Sequence, residues 1–459
     1  MNVRWCAALT CLATSLSAAA QDDPSSDELD SDSLAPESTE TESTDTETTR
    51  SEEFEAEPED GGGIFDSRGQ LALEGRAFLP DDDPTTEDWG FGLFSRLEWA
   101  HSHDPWSERL RITGRLDAID RGRDHLVLEE AWVQYWRGRL KLRLGADIVN
   151  WTATEAFHPA DVLNARNLDS DLENYEKVGE PMLLAALSLL EDTTLELYVM
   201  PGYMAALLPS QRSRLRLVPP GVDIGGRLLV DRSGRFTDAS IGPQAALRVR
   251  TVWGSADLSL HVLEHMDRSQ PLVVTDPGTE RLHAVFLTVR QVGFTYSQVF
   301  GSLIAKLEAS YRNFVRVQDT ARFGALPDRD HTTLALGAEY GFVHDGGSES
   351  TLLAEAQAVF GLSPSERYQV NPFQRDIMFG YRFAWNDEQS RSLLVSGIFD
   401  LERGGEYLLN VTYEQRLGET WGIALGARLI NAESNADSPF GLTPLRDADL
   451  VRVVLSRYF

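Results

Sequence analysis

Residues 139–148 read Arg-Leu-Lys-Leu-Arg-Leu-Gly-Ala-Asp-Ile, so that polar and apolar side chains alternate almost without a break. Successive side chains of a β-strand point to opposite faces, whereas those of a helix repeat every 3.6 residues. The pattern therefore predicts a strand with one apolar and one polar face. The same alternation occurs in residues 71–79 and 110–118. This part of the chain is expected to be all-β.

Short alternating stretches continue from residue 67 to residue 459. Brief glycine-containing turns separate some of them, and longer polar connections, such as 80–88 and 268–280, separate others. Short turns at one rim and long loops at the other are typical of outer-membrane barrels, which in bacteria have an even number of strands. We therefore predict a transmembrane antiparallel β-barrel of about 14–18 strands over residues 67–459. The short turns are expected at residues 136–139, 300–302, 403–405 and 417–419.

The chain end carries a second sign of this fold. Val451, Val453 and Leu455 alternate with other residues, and the sequence stops at Tyr458-Phe459. Outer-membrane barrels typically end in such an amphipathic strand with a terminal Phe, and this chain departs from the pattern at Arg457. We expect the barrel-assembly machinery to recognise this strand and outer-membrane lipid to surround the barrel. Tryptophans are expected at strand ends, where aromatic rings favour membrane interfaces; they are Trp99, Trp106, Trp132, Trp136, Trp253, Trp385 and Trp421.

Two segments precede the predicted barrel. Residues 1–20 combine Arg4, a mostly apolar stretch and Ala18-Ala19-Ala20, which is the pattern of a cleaved signal peptide. Residues 21–66 form an acidic linker, with seventeen Asp and Glu residues against Arg50 alone between 22 and 60. The few apolar groups of this linker cannot offset the loss of conformational entropy on ordering. We therefore expect the linker to be disordered. The linker is either a solvating spacer or a tail that binds a periplasmic partner.

The overall composition excludes several classes of protein. The net charge of -30 argues against a nucleic-acid partner, because phosphate binding needs clustered Lys and Arg. Mean hydropathy is -0.28, and no apolar run of about 20 residues follows the N-terminus, which excludes a bundle of membrane-spanning helices. Both cysteines, Cys6 and Cys11, lie in the predicted signal peptide. The exported chain would then have no disulfide and no cysteine-ligated metal.

Residues 150–181 interrupt the strand rhythm. They are too long for a tight turn, and a connection of this length inside a compact unit usually has a function. We expect the segment either to fold into the lumen as a constriction or to lie on the surface as a loop. The residues assigned to the constriction are Trp151, His158, Asp161, Asn164 and Arg166.

The surroundings of this segment resemble a known group of proteins. Gly145-x-Asp147-x-x-x-Trp151, then Pro159-x-Asp161-Val162-Leu163-Asn164, then Gly179-x-Pro181 leading to Pro201 resemble alginate-export outer-membrane barrels and related uncharacterised porin-like families. The resemblance covers about 60 residues together with the general plan of the chain. It implies a passive channel for a small or polymeric anionic solute and does not establish alginate as that solute.

A basic set of residues falls on the polar face of the predicted strands 107–119 and 138–149. A ring of cations in a confined channel favours anions. Cross-strand ion pairs, however, also stabilise a barrel wall without any role in transport, and Glu74, Glu98, Asp117, Glu129 and Asp147 are available as partners. Both interpretations stay open. The basic residues, all assigned to the lumen, are Arg109, Arg111, Arg115, Arg139, Lys141 and Arg143.

Catalysis has little support in the sequence. Motifs for a nucleophilic serine elbow, a P-loop or a zinc helix are missing. Ser259 and His261 share a strand face but have no third partner, so a barrel hydrolase is the weakest alternative. We expect no enzyme activity, no cofactor and no metal. The main function hypotheses are a channel and a structural barrel that anchors a periplasmic partner.

Overall fold

A computed structural model describes residues 64–79, 86–168, 176–210, 212–216, 224–237, 241–268, 272–276, 281–318, 323, 329–432 and 442–459. The predicted signal peptide and almost all of the acidic linker lie outside these residues. Strand β1 begins at Ile64, three residues before the predicted start of the barrel.

Eighteen antiparallel strands form one closed barrel. Each strand pairs with its neighbours in sequence order, and β1 pairs with both β2 and β21, so the sheet has no free edge along this ring. The prediction of a β-barrel is confirmed, and the strand number is at the upper end of the predicted range. The barrel strands are β1 Ile64–Phe78, β2 Trp89–His103, β3 Trp106–Asp117, β4 His125–Arg137, β5 Leu140–Asp147, β6 Glu180–Leu190, β7 Thr193–Gly202, β10 Ile241–Trp253, β11 Ala256–Met266, β13 Leu282–Phe300, β14 Leu303–Phe314, β15 His331–Val343, β16 Glu349–Phe360, β17 Arg375–Ala384, β18 Ser392–Asp400, β19 Tyr407–Arg416, β20 Trp421–Asn431 and β21 Leu450–Tyr458.

Three short strands lie outside the ring, where β13 extends beyond the neighbouring strands. They are β8 Ile224–Val230, β9 Phe236–Thr237 and β12 Leu272–Thr275, and β8 pairs in parallel with the first residues of β13. The helical elements of the described chain are short: α1 Pro364–Val370 and single turns at Arg121–Arg123 and Thr443–Leu445. None of the helices that the structure describes has the length and apolar character of a membrane span.

The two rims of the barrel differ as the sequence predicts, and we call them the turn rim and the loop rim. The turn rim carries tight connections with glycine at positive φ, including Gly138 at 58° and Gly301 at 63°. Glycine adopts this backbone conformation without the clash that a Cβ would cause. One assignment is wrong: residues 403–405, predicted as a tight turn of the same kind, connect β18 to β19 at the loop rim. A short loop at the loop rim has the same composition as a tight turn at the turn rim, so composition alone does not distinguish the two.

The outer surface has the character of a wall in contact with lipid. On strand after strand the outward side chains are large, apolar and exposed, among them Leu142, Leu144, Leu260 and Leu352. Near the turn rim, aromatic rings follow each other around the outside, and the rings of Phe383 and Trp385 lie 4.7 Å apart. An apolar band with an aromatic girdle is the surface that outer-membrane barrels present to the bilayer.

Two of the predicted interface tryptophans, Trp132 and Trp136, lie on the inner face of β4, in register with Gly145 and Lys141 of β5. Both point inward, because these two β5 residues share their face with Arg143 of the lumen wall. The Arg143 guanidinium stacks over the Trp132 ring at 4.1 Å. Trp132 therefore contributes to the lumen, and neither tryptophan belongs to the girdle.

Candidate functional site in the barrel lumen

A network of ion pairs covers the inner face of β2, β3 and β4. Strand register sets it up, because Glu98 on β2 lies opposite Arg111 on β3. Arg111 donates to Glu98 at 3.1 Å and lies 3.1 Å from Glu130, and Arg109 lies 3.3 Å from Glu98. Arg96 donates to Glu129 at 3.2 Å. A register shift in β4 between these rows brings both Glu129 and Glu130 to this network.

Water reaches three side chains of this network more than the others. Those of Arg96, Arg111 and Glu98 are 30%, 25% and 21% exposed. Those of Glu129 and Glu130 are only 4% and 2% exposed. A solute in the lumen would therefore meet the guanidinium groups of Arg96 and Arg111 and the carboxylate of Glu98 on this part of the wall, and not Glu129 or Glu130.

The other predicted lumen residues have different surroundings. Arg115 donates to Glu74 at 2.6 Å in a buried pair nearer the loop rim. Arg143 donates to Asp147 at 2.8 Å, and Lys141 shares the inner face of β5 with it. Arg139 lies in the turn between β4 and β5 and is exposed, so it is not part of the lumen wall as predicted.

The segment after β5 is anchored by its own polar side chains. Asn164 accepts from the amide of Val149 at 2.8 Å and donates to the carbonyls of Asp147 and Val178 at 2.9 and 3.0 Å. These three bonds hold the start and the end of the segment together. Residues 169–175 lie outside the described chain. Trp151, at the start of the segment, is fully buried among inward side chains that include Tyr198 and Met200.

Asp161 is a second anchor in the same segment. Its carboxylate lies 2.9 Å from the Arg166 guanidinium and 2.7 Å from the Lys177 ammonium. Burial by itself would raise the pKa of Asp161, but the two adjacent cations lower it to about 2. Asp161 is therefore ionised near neutral pH, and its charge is balanced within the segment.

The segment also contacts the opposite wall of the barrel. Glu308 projects inward from β14 and accepts hydrogen bonds from the amides of Ala153, Thr154 and Ala160 at 2.6, 3.0 and 3.1 Å. His158 lies 3.5 Å from the same carboxylate. Sequence analysis missed Glu308, since it is one of many polar residues on inward faces and its partners lie about 150 positions away in the chain.

A second inward carboxylate contacts the tip of the segment. Glu355 on β16 accepts from the amides of Glu155 and Ala156, the latter at 2.8 Å. Lys306 on β14 in turn binds the side chain of Glu155 at 2.6 Å. Residues 153–160 therefore extend from β5 to strands on the far side of the ring.

Apolar packing completes this region towards the loop rim. The rings of Phe157 and Phe373 meet edge to face at 5.7 Å. Both belong to a buried apolar cluster that also contains Leu442 and Leu445 from the connection before β21. Connections from three parts of the chain therefore pack against one another on the inner side of the strands.

The serine and histidine considered for hydrolysis have other partners. The Ser259 hydroxyl lies 2.6 Å from that of Thr295, and the His261 ring packs against Trp151 at a tilt of 36°, with a centroid distance of 4.6 Å. Over the described ranges, no group of three or more His, Cys, Asp or Glu side chains is arranged to hold a metal ion.

Comparisons with known proteins identify related folds. No protein-family model matches the chain, and no curated protein matches it. Among solved structures, OpdO of Pseudomonas aeruginosa is similar, with a TM-score of 0.50, 10% identity, and coverage of 86% of this chain and 97% of that one. OccK2 (OpdF) of the same organism also has a TM-score of 0.50, with 11% identity and coverage of 86% and 98%. At this identity the similarity establishes the fold alone, and the resemblance to alginate-export barrels stays a prediction.

Proposed function

We propose that this protein is an outer-membrane channel for passive passage of small anionic solutes. Its closed wall, apolar outer band and narrowed interior are the parts that such a channel needs. Export through the predicted signal peptide and assembly through the strand that ends at Phe459 belong to the same proposal.

The observation that carries the proposal is the difference in exposure within the network on β2, β3 and β4. Arg96 and Arg111 are several times more exposed than Glu129 and Glu130. Guanidinium groups bind carboxylates and phosphates through two parallel hydrogen bonds. An anion that passes this wall can replace the partly exposed Glu98 as the partner of Arg111, which would give a shallow, reversible site. The segment of residues 151–160 would act as the constriction that brings solutes against it.

The direct test is the reversal potential of the refolded protein in a planar bilayer under a salt gradient. We expect ion conductance with a preference for chloride over potassium. A preference for potassium would contradict the anion selectivity, and a silent bilayer that contains inserted, folded barrel would contradict the channel itself.

One observation favours a second function. The buried apolar cluster around Phe157 and Phe373 lies inside the ring and joins several connections. A lumen sealed at this level would suit a structural barrel that anchors a periplasmic partner through the acidic segment 22–63. That hypothesis predicts no conductance, together with a loss of partner binding when residues 22–63 alone are deleted.

A further inference from the structure

Two acidic residues face each other at the loop rim, far along the ring from the network of arginines. Asp376 begins the inner face of β17, and Asp400 ends that of β18, directly opposite in the register. They are 2% and 9% exposed. Like charges at directly opposite positions of an antiparallel pair destabilise the sheet, and burial increases the cost.

The hydrogen bonds around this pair satisfy only one member. Asp400 accepts from the amides of Glu402 and Arg403 at 2.7 and 2.8 Å, and also from the side-chain amide of Gln374. Among the residues that the structure describes, the buried carboxylate oxygen Oδ2 of Asp376 has no hydrogen-bond partner. The Oε1 atom of Gln374 is likewise buried and has no partner in this part of the chain, although its amide nitrogen bonds to Asp400.

Neighbouring arginines are bound to other carboxylates. Arg367 and Arg375 lie 2.6 and 3.1 Å from Glu402. Arg403 lies 2.7 Å from Glu406 and donates to the Thr443 hydroxyl at 3.0 Å. Together these groups carry three positive and two negative charges, so they do not balance the charge of both aspartates.

We propose that Asp376, Asp400 and Gln374 bind a calcium ion. Two carboxylates and an amide oxygen are hard donors of the kind that Ca²⁺ takes, and Ca²⁺ accepts irregular geometry while completing its shell with carbonyls and water. The ion would neutralise the opposed carboxylates and satisfy the two oxygens that lack partners. With only two acidic ligands, the site is of the weaker kind, with an affinity on the order of 10⁻⁴–10⁻³ M.

The site would also stabilise the constriction. Gln374 directly follows Phe373, whose ring packs on Phe157 of the crossing segment. A calcium ion that fixes Gln374 against β17 and β18 would therefore hold this apolar contact in place. The inference does not depend on whether the barrel conducts ions.

The test uses the full exported chain refolded in detergent without lipopolysaccharide, since that lipid itself binds calcium. Binding of ⁴⁵Ca²⁺ and the thermal unfolding midpoint in EDTA and in millimolar CaCl₂ are measured for the wild type, Asp376→Asn and Asp387→Asn. Asp387 is a partly exposed turn aspartate paired with Arg391 at 2.6 Å and serves as the matched control. We expect saturable binding of a single ion and a higher midpoint with calcium in the wild type and the control, and loss of both in Asp376→Asn.

Two results would overturn the site. The first is a wild type that binds no ⁴⁵Ca²⁺ and has the same unfolding midpoint in EDTA and in CaCl₂, together with a higher unfolding midpoint for Asp376→Asn. This combination would show that the two aspartates share a proton and bind no ion. The second is binding that persists unchanged in Asp376→Asn. Should that variant not fold, the wild-type titration decides alone, because a linear, non-saturating signal excludes a defined site.

Discussion

The two sides of the lumen use charge in different ways. On β2, β3 and β4, arginines pair with carboxylates from neighbouring strands, and the arginines stay partly exposed. On β14 and β16, the fully or almost fully buried Glu308 and Glu355 accept hydrogen bonds from main-chain amides of the crossing segment.

This difference separates a surface that can exchange partners from one that cannot. Exposed ion pairs contribute little free energy, so replacing one partner by a solute costs little. A buried carboxylate that satisfies several amides is costly to remove, because the amides are then left without partners. Under the proposed channel function, solutes would contact the arginine side, and the glutamate side would hold the crossing segment in place.

Loss of Glu308 should have the largest effect. Glu308→Ala leaves the amides of Ala153, Thr154 and Ala160 without their acceptor, which should weaken attachment of the segment by about 3 kcal/mol. Single-channel recordings should show frequent transitions to a higher conductance level. Glu349→Ala, at the start of β16 near the turn rim, is the control. Recordings that match the wild type would show that Glu308 does not hold the segment.

Acidification should weaken the second anchor at a lower pH than usual for an aspartate. Because the pKa of Asp161 is lowered to about 2 from 3.8, its ionised form contributes about 2 kcal/mol at neutral pH, and this is lost as the pH falls from about 4 through about 2. Hydrogen-exchange protection of the Trp151 amide, which donates to the Asp161 carboxylate at 3.3 Å, should stay constant from pH 7 to pH 5 and fall below pH 4. Asp161→Asn should lack this protection already at pH 7. A decline between pH 7 and pH 5 would contradict the assignment.

A smaller effect is expected from Arg111, and it concerns selectivity. Arg111→Gln removes a guanidinium that faces Glu98, Glu129 and Glu130, so the wall becomes acidic. A unit charge at about 4 Å in water is worth about 1 kcal/mol, which corresponds to roughly a twofold to fivefold decrease in the ratio of chloride to potassium permeability. The reversal potential reports this ratio. An unchanged permeability ratio would show that solutes do not contact this network.

Arg139→Gln should have the smallest effect. The side chain lies in the turn between β4 and β5 and not on the inner face of β5. The charge change is the same as in Arg111→Gln, so the pair of variants separates position from charge. A shift in reversal potential as large as that of Arg111→Gln would show that selectivity is set at the turn rim.

The fold could be predicted because alternation is a local property of the sequence. It identified β3 and β5 and the inward orientation of Arg109, Arg111 and Lys141. The same rule misassigned Arg139, since a tight two-residue turn lets the alternation continue past the strand end. It also placed two tryptophans of β4 at the interface, because closeness to a strand end does not tell which face a side chain occupies.

The attachment of the crossing segment could not be predicted in this way. Glu308 and Glu355 bind main-chain amides. Every residue except proline has such an amide, so residue types in the sequence do not indicate which positions these two side chains will contact. Their distances along the chain, about 150 and 200 positions, exclude any spacing rule. Asn164 and Asp161 were assigned to the segment because they belong to the stretch that interrupts the strand alternation, and their anchoring contacts were not predicted.

The pairing of β1 with β21 has a consequence for how the molecule is made. The side chains of Gln70 and Tyr458, which meet across this seam, are 388 positions apart in the chain. Bringing such distant stretches together is entropically slow, and no earlier strand can substitute for the last one. The ring therefore closes only when the nine-residue strand β21 pairs with β1, and until then the facing edges of these two strands lack each other as hydrogen-bond partners.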